Sequence, residues 1–225
     1  MNGALGPLLP AAMTVFVSPM PIVAVLLLLF SHRGLVPAAV YAGGWVLGIG
    51  LEVTLFTLLG GAVFGTGSHL GATVGGIVDL VVAATMFALA AVAWHGRPRA
   101  GDASRPPRWM SAVDGLSPWG ALALALVFAI FSPVNLAVTA EAGATIASAG
   151  LGVAATSIIA TAFVVVGTAS ITGPVVAFAV ARDRVRSPLE AARAWLVEYN
   201  AVVLTVLLTV IGADFLGQGI GALWP

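Results

Sequence analysis

Six stretches of this chain, each about twenty residues long, hold almost nothing but apolar side chains. They lie at 11–30, 37–59, 77–94, 118–141, 151–180 and 195–216. An apolar run of that length is long enough to cross hydrocarbon as a helix, which keeps every backbone N–H and C=O paired within the segment. Only 8% of the 225 residues are charged and 60% are hydrophobic, whereas a soluble domain carries roughly a quarter charged residues. The expected fold is an all-α integral membrane protein, a single transmembrane domain over 1–225. Two three-helix repeats (about 1–95 and about 118–225) would flank a cytoplasmic loop at about 96–117. The opening residues lack a basic region and a small-residue cleavage site, so they read as the lead into the first span and not as a signal peptide.

The arginines fix an orientation. All nine basic residues are Arg. With six spans, the loops after the first, third and fifth share one side, and they hold every one: Arg33, then Arg97, Arg99, Arg105 and Arg108, then Arg182, Arg184, Arg186 and Arg193. The positive-inside rule makes those loops cytoplasmic and puts both termini outside, for a multi-pass protein of a bacterial cell (inner) membrane. Membrane lipids are the expected surroundings, and the two Arg clusters suit anionic head groups. Nothing suggests nucleic acid. The chain has no Cys, which excludes disulfides, thiolate metal sites and cysteine nucleophiles.

Two spans carry a helix stop where one is least expected. Ser18-Pro19-Met20-Pro21-Ile22 and Ser132-Pro133-Val134-Asn135-Leu136 share the pattern S-P-x-[P/N]-[I/L] at matched places in the first and fourth spans. Because each repeat has an odd number of spans, the second would be inverted relative to the first, as in many secondary transporters. Ser18 and Ser132 would cap half-helices running from Pro19 to Phe30 and from Pro133 to Glu141. Their N-termini, with free amides and positive dipole ends, would meet near the midplane and suit an anionic or strongly polar group, with Asn135 adding a donor and an acceptor. Ser18, Pro19, Pro21, Ser132, Pro133 and Asn135 are therefore the substrate-binding candidates. Two proline kinks bridged by neighbouring helices are the alternative. The remaining Ser-Pro pairs, at 117 and 187, stand where helices are expected to begin, with Ser as N-cap and Pro in the first helical position. Gly173-Pro174 is the expected breaking point of the fifth span.

Four acids fall on the side without arginine: Glu52, Asp79, Glu141 and Asp214. Each must be protonated, reach water or meet a cation. Glu52, near the middle of the second span, is a candidate for coupling proton release to substrate movement, with Glu141 and Asp79 as further proton or cation coupling sites. The last two, like Asp214, also fit solvated acids at the membrane boundary. Gly44-x-x-x-Gly48 marks close helix packing, within one chain or across a homodimer. His32, His69 and His95 lie in loops or at span ends, so no midspan metal cluster or base is expected, and neither is a cofactor.

Several stretches together resemble a family. They are Ser18 to Val25 with the Leu run that follows, Arg108-Trp109-Met110 to Asp114 with Ser117-Pro118, Asn135-Leu136 to Ala142-Gly143-Ala144, and Trp195 to Ala201 leading the last span. The chain resembles the glycopeptidolipid-addressing and sulfolipid-addressing proteins of actinobacteria (the GAP family), within the LysE exporter superfamily, over nearly its whole length. The resemblance implies a six-helix, two-repeat inner-membrane protein that assists export of lipids or other small molecules. Superfamily relatives export basic amino acids, other small solutes or metal ions. Where that superfamily has an Asn-Pro-Lys-Asn run, this chain has Ser132-Pro133-Val134-Asn135, which removes a midplane cation.

The leading expectation is a secondary transporter or exporter that moves a lipid or a small amphiphilic or polar solute by alternating access at the paired breaks. On that reading Pro19, Pro21, Pro133, Asn135 and Glu52 line one midplane cavity. A non-transporting accessory subunit of a lipid-export machine is the second, and would be a closed, dry bundle. An amino-acid or metal-ion exporter is the third. An enzyme is not expected, since no nucleophile or base cluster of a known pattern is present.

Overall fold

The computed structural model describes residues 6, 8–63, 69–97, 113 and 115–224. Arg99, Asp102, Arg105, Arg108 and Asp114 lie outside them. The described residues form helices, with no strand among them: α1 (Leu8–Phe16), α2 (Pro19–Leu29), α3 (Leu35–Val63), α4 (His69–His95), α5 (Pro118–Ile130), α6 (Pro133–Ser148) and α7 (Val153–Leu223). By length and apolarity α3, α4 and α7 are fit to cross a membrane, and the bent pairs α1–α2 and α5–α6 bring the candidates to five. This is an all-helical membrane protein.

Both Ser-Pro breaks are real. The chain bends by 43° between α1 and α2 and by 64° between α5 and α6. In each case proline removes an N–H, and its ring clashes with the carbonyl four residues earlier. Ser117 also behaves as its sequence suggests, with Oγ accepting from the Gly120 amide at 3.1 Å ahead of Pro118.

Elsewhere the boundaries move. The stretch 142–150, expected as a loop, is helical as far as Ser148. Its small residues let α6 lie directly against α3, so that a Cβ on Gly143 would stand 2.6 Å from Phe56 Cβ. The Gly-rich stretch 60–76 is also largely helical, α3 running to Val63 and α4 starting at His69.

The fifth and sixth apolar stretches are joined in α7, a run of 71 residues whose one non-helical residue is Ala181 (φ −136°, ψ 44°). At 1.5 Å per residue it measures about 107 Å, far more than the ~30 Å of a hydrocarbon core, so the kink at Ala181 divides it into working lengths. The break expected at Gly173-Pro174 is absent, and Pro174 sits inside the helix. Ser187-Pro188 likewise starts nothing. Pro188 is exposed among polar residues, where water can meet the carbonyl left without its donor.

α2 is the centre of the bundle. From Val23 to Leu29 every side chain is buried, as expected for a helix that is apolar all round. Around it the contacts form two matching sets. α1 and α2 run alongside the first part of α7 in the same direction: Ala12 and Val15 meet Gly167, and Phe30 packs edge-on against Phe178 at 5.8 Å. α5 and α6 run alongside α3, again in the same direction. Gly44 meets Leu122 and Ala125, Gly48 meets Ala129, and Gly60 meets Ala144 and Ala147. α4 packs antiparallel to the second part of α7, with Gly76 against Gly219 and Met86 and Phe87 against Gly212. Gly44 and Gly48 thus serve packing within the chain.

Trp45 and Tyr41, one turn apart, are both fully buried on the inner face of α3. At the Arg-rich ends, Arg97 lies over the Trp94 ring at 3.6 Å and Arg182 over Phe178 at 5.1 Å.

Candidate functional site

The two breaks face each other across a cleft of about 1050 Å³, open on one side. Ser18, Pro19, Pro21, Ser132, Pro133 and Asn135 all line it, so every substrate-binding candidate meets at one place. The far wall is a single face of α7, with Leu204, Leu207, Leu208, Ile211, Asp214, Phe215 and Gln218 repeating at helical spacing. Met13, Val17, Val127 and Phe131 make the rest of the wall apolar. Phe131 stands at the α5–α6 break and is 74% exposed.

The two helix starts are capped differently. Ser132 Oγ accepts from the Asn135 amide at 3.3 Å. Ser18 makes no such bond, since the position three residues on is Pro21, which has no N–H to give. The expectation that both serines cap is therefore corrected for Ser18. The amide supply is also thinner than expected. Around α2, Pro19 and Pro21 have no N–H and Ile22 donates to Ser18 O at 3.3 Å, which leaves Met20. Around α6, Pro133 has none, Asn135 is used by Ser132 Oγ, and Leu136 donates to Ser132 O at 3.0 Å, which leaves Val134.

Asn135 repairs the second break. An unbroken helix would send the Ser132 amide to Phe128 O, and here Asn135 Nδ2 donates to that carbonyl at 3.2 Å. Its Oδ1 has no hydrogen-bond partner, although the residue is only 2% exposed.

Glu52 is where the expectation fails. It does not line the cleft but lies behind it, 5% exposed, on the inner face of α3. Thr139, one turn beyond Asn135, lies between them. Its Oγ1 is 3.1 Å from Glu52 Oε2 and 2.7 Å from Asn135 O. A hydroxyl has one proton. When Thr139 spends it on the closer Asn135 carbonyl, the contact to Glu52 is a hydrogen bond only if the carboxyl carries its own proton. Glu52 Oε1 has no partner, and neither do Tyr41 OH and Trp45 Nε1 on the same face of α3.

The other acids differ in their relation to the cleft. Because α6 continues past Glu141, that side chain is within a helix and lines the cleft, as does Asp214. Gln218 donates to Asp214 Oδ2 at 3.1 Å and also lies beside Glu141. Asp79 does not line the cleft. No set of three or more His, Asp or Glu among the described residues is placed to hold a metal ion. Gln218 and Thr139 were not singled out from sequence. The signal for the first was present, an acid and an amide at i and i+4 in an otherwise apolar helix.

Over residues 8–221 the chain matches the family described as Sap, sulfolipid-1-addressing protein. Comparison with curated proteins and with solved structures gives no match.

Proposed function

The chain belongs to the sulfolipid-1-addressing protein family, and on that premise we propose that it moves a lipid or similar amphiphile across the membrane through the cleft between its two broken helices. The observation that carries this is the meeting of both breaks at one open, largely apolar cleft of about 1050 Å³. A closed accessory subunit needs no such space. An enclosed polar pocket would suit a small solute better than walls of Leu204, Leu207, Leu208 and Ile211. The apolar rim, with Met13, Val17 and Phe131 exposed, suits acyl chains entering from the bilayer side.

In this reading α7 counts as two spans divided at Ala181, which makes six, arranged as two inverted three-helix repeats. The matched contacts support it. A pseudo-two-fold axis that exchanges α1–α2 with α5–α6 also exchanges the first part of α7 with α3, and both pairs pack in parallel. The same axis exchanges α4 with the second part of α7, and these two pack on each other. The cleft uses α7 and not α4, so it is one of two related openings. In the opposite-facing state the breaks would open toward α4. The Arg-rich ends lie in the cytoplasm of an inner membrane, and Glu52 senses substrate through Thr139 and Asn135 without touching it.

The test is translocation of a fluorescent lipid analogue in proteoliposomes. Leu208→Trp puts bulk into the lipid-facing wall of the cleft and reduces the rate at least about tenfold, while Val165→Trp, on an exposed face away from the cleft, leaves it unchanged. Equal rates for the two variants, or no protein-dependent translocation, would overturn the proposal.

A further inference from the structure

Three long polar side chains on α3 are buried with nothing to bond. Tyr41 OH, Trp45 Nε1 and Glu52 Oε1 have no hydrogen-bond partner and no surface that water could touch. At 3.6 residues per turn the three lie within about 40° of one another on one face of the helix. The hydroxyl oxygens of Thr57 and Ser170 are also buried without a partner, but a short hydroxyl can turn onto a carbonyl of its own helix. A phenol and an indole cannot. Leaving such groups dry costs free energy, and three along one face call for an explanation.

The packing of the helices does not supply it. Gly48 meets Ala129 and Leu126 as Gly167 meets Val15 and Ala12, and these partners stand three and six residues before Ser132 and before Ser18. Counting on from the two glycines, Tyr41, Trp45 and Glu52 correspond to Ala160, Val164 and Ile171 in α7. Counting on from the two serines, Asn135 and Thr139 correspond to Pro21 and Val25 in α2. Five polar residues in one set of helices are thus matched by five apolar ones in the other, of which Val25 and Ile171 are fully buried. The same packing closes without the polar chain. Nor is a charge nearby to account for it. α2, α5 and α7 as far as Ala181 carry no ionisable residue, and α6 brings Thr139 to Glu52 while Glu141 lines the cleft.

We propose that this face of α3 is a proton path, separate from the cleft, that joins Glu52 to the Arg-rich side and conducts only in the opposite-facing state. Tyr41 stands about 9 Å along α3 from its Arg33 end, Trp45 about 6 Å further and Glu52 about 10 Å beyond that, at 1.5 Å per residue. Helical side chains lean toward the N-terminus of their helix, so each of the three leans toward the Arg33 end. In the state seen here the path is shut, because its polar atoms are sealed by packing. When the breaks open the other way, α3 parts from its neighbours and water pairs the three groups. The Glu52 carboxyl then releases its proton to a water, and successive waters pass a proton on. The Tyr41 hydroxyl donates and accepts along that file, while the Trp45 N–H only orients it. This rests on the two related openings proposed above, though not on the cargo.

The experiment follows hydrogen exchange at Glu52 itself. Full-length protein in nanodiscs is moved from H2O to D2O, and the infrared carbonyl band of a protonated carboxyl is recorded as its proton is replaced by deuterium. Glu52→Gln removes that band and Glu52→Asp shifts it, which assigns it. Tyr41→Phe and Trp45→Phe each slow the exchange at least about tenfold, whereas Thr139→Val, on the cleft side of Glu52, slows it less than about threefold. A band that neither Glu52 variant alters overturns the proposal, since Glu52 then holds no proton to exchange. Unchanged exchange in Tyr41→Phe also overturns it, and a raised melting point in that variant identifies the phenol as a dry packing residue. Greater slowing by Thr139→Val than by Tyr41→Phe sends the proton through the cleft and overturns the separate path. Translocation of a fluorescent lipid by the same preparations tests the cargo independently. Exchange in the expected pattern without protein-dependent translocation leaves the path standing and overturns the lipid reading alone.

Discussion

At the scale of single residues, the unusual feature is a carboxyl group kept near, but out of, the space where a substrate would sit. Glu52 reaches the cleft through Thr139, whose hydroxyl is shared between the Glu52 carboxyl and the Asn135 carbonyl. Removing that hydroxyl without changing volume leaves Glu52 with neither oxygen paired. Thr139→Val is expected to cost about 1–3 kcal/mol, the penalty of an unsatisfied buried polar group, while Thr139→Ser stays close to the parent. Thermal unfolding in detergent distinguishes them, and equal melting points would remove the contact from the account. Glu52→Gln keeps size and hydrogen bonding but cannot exchange a proton. The expected result is lipid translocation that no longer varies with pH while lipid binding is retained, and an unchanged pH profile would leave Glu52 a structural residue. Glu52 stands out in the sequence as a lone acid in an apolar stretch, but its position relative to the cleft does not. That position depends on which face of α3 meets α6, and Gly143 decides this by letting the two backbones touch.

At the scale of elements, the glycines state the packing and make it testable. A Cβ on Gly48 would stand 2.6 Å from Ala129 Cβ, whereas nothing lies within 4 Å of one on Gly43. Gly48→Leu should wedge α3 from α5 and lose about 1–3 kcal/mol, as overpacked sites do, and Gly43→Leu on the exposed face should be near neutral. Folded yield and melting point in detergent measure both, and equal behaviour would contradict the α3–α5 register. The breaks themselves were readable, because Ser-Pro inside apolar sequence has few other outcomes. The absent cap at Ser18 was readable too, from Pro21 alone. What sequence misjudged were places where a local rule met a tertiary one. Pro174 and Pro188 do not interrupt α7; the exposed Pro188 can hydrate its orphaned carbonyl, and nothing in the structure explains the continuity at Pro174. The Ala- and Gly-rich run after Glu141 stays helical because it has α3 to lie on. That continuation leaves Glu141 inside a helix and lining the cleft.

At the scale of the whole molecule, two sets of helices pack alike around α2, and the space between their breaks opens toward α7 and not toward α4. A bundle built only for assembly gains nothing from leaving such a volume unfilled, since packing it would add contacts and stability. A carrier with two related openings must leave one of them unfilled at any moment. The absence of native cysteine makes this directly measurable. The decisive measurement is the reactivity of single cysteines, Ser18→Cys and Ser132→Cys, toward a small charged thiol reagent in proteoliposomes, each with and without Leu208→Trp. Both positions line one cleft in this account, so both react, and the added tryptophan protects both. Reaction at one position only, or slowing by Leu208→Trp at one position and not the other, would mean that the breaks do not share a cavity.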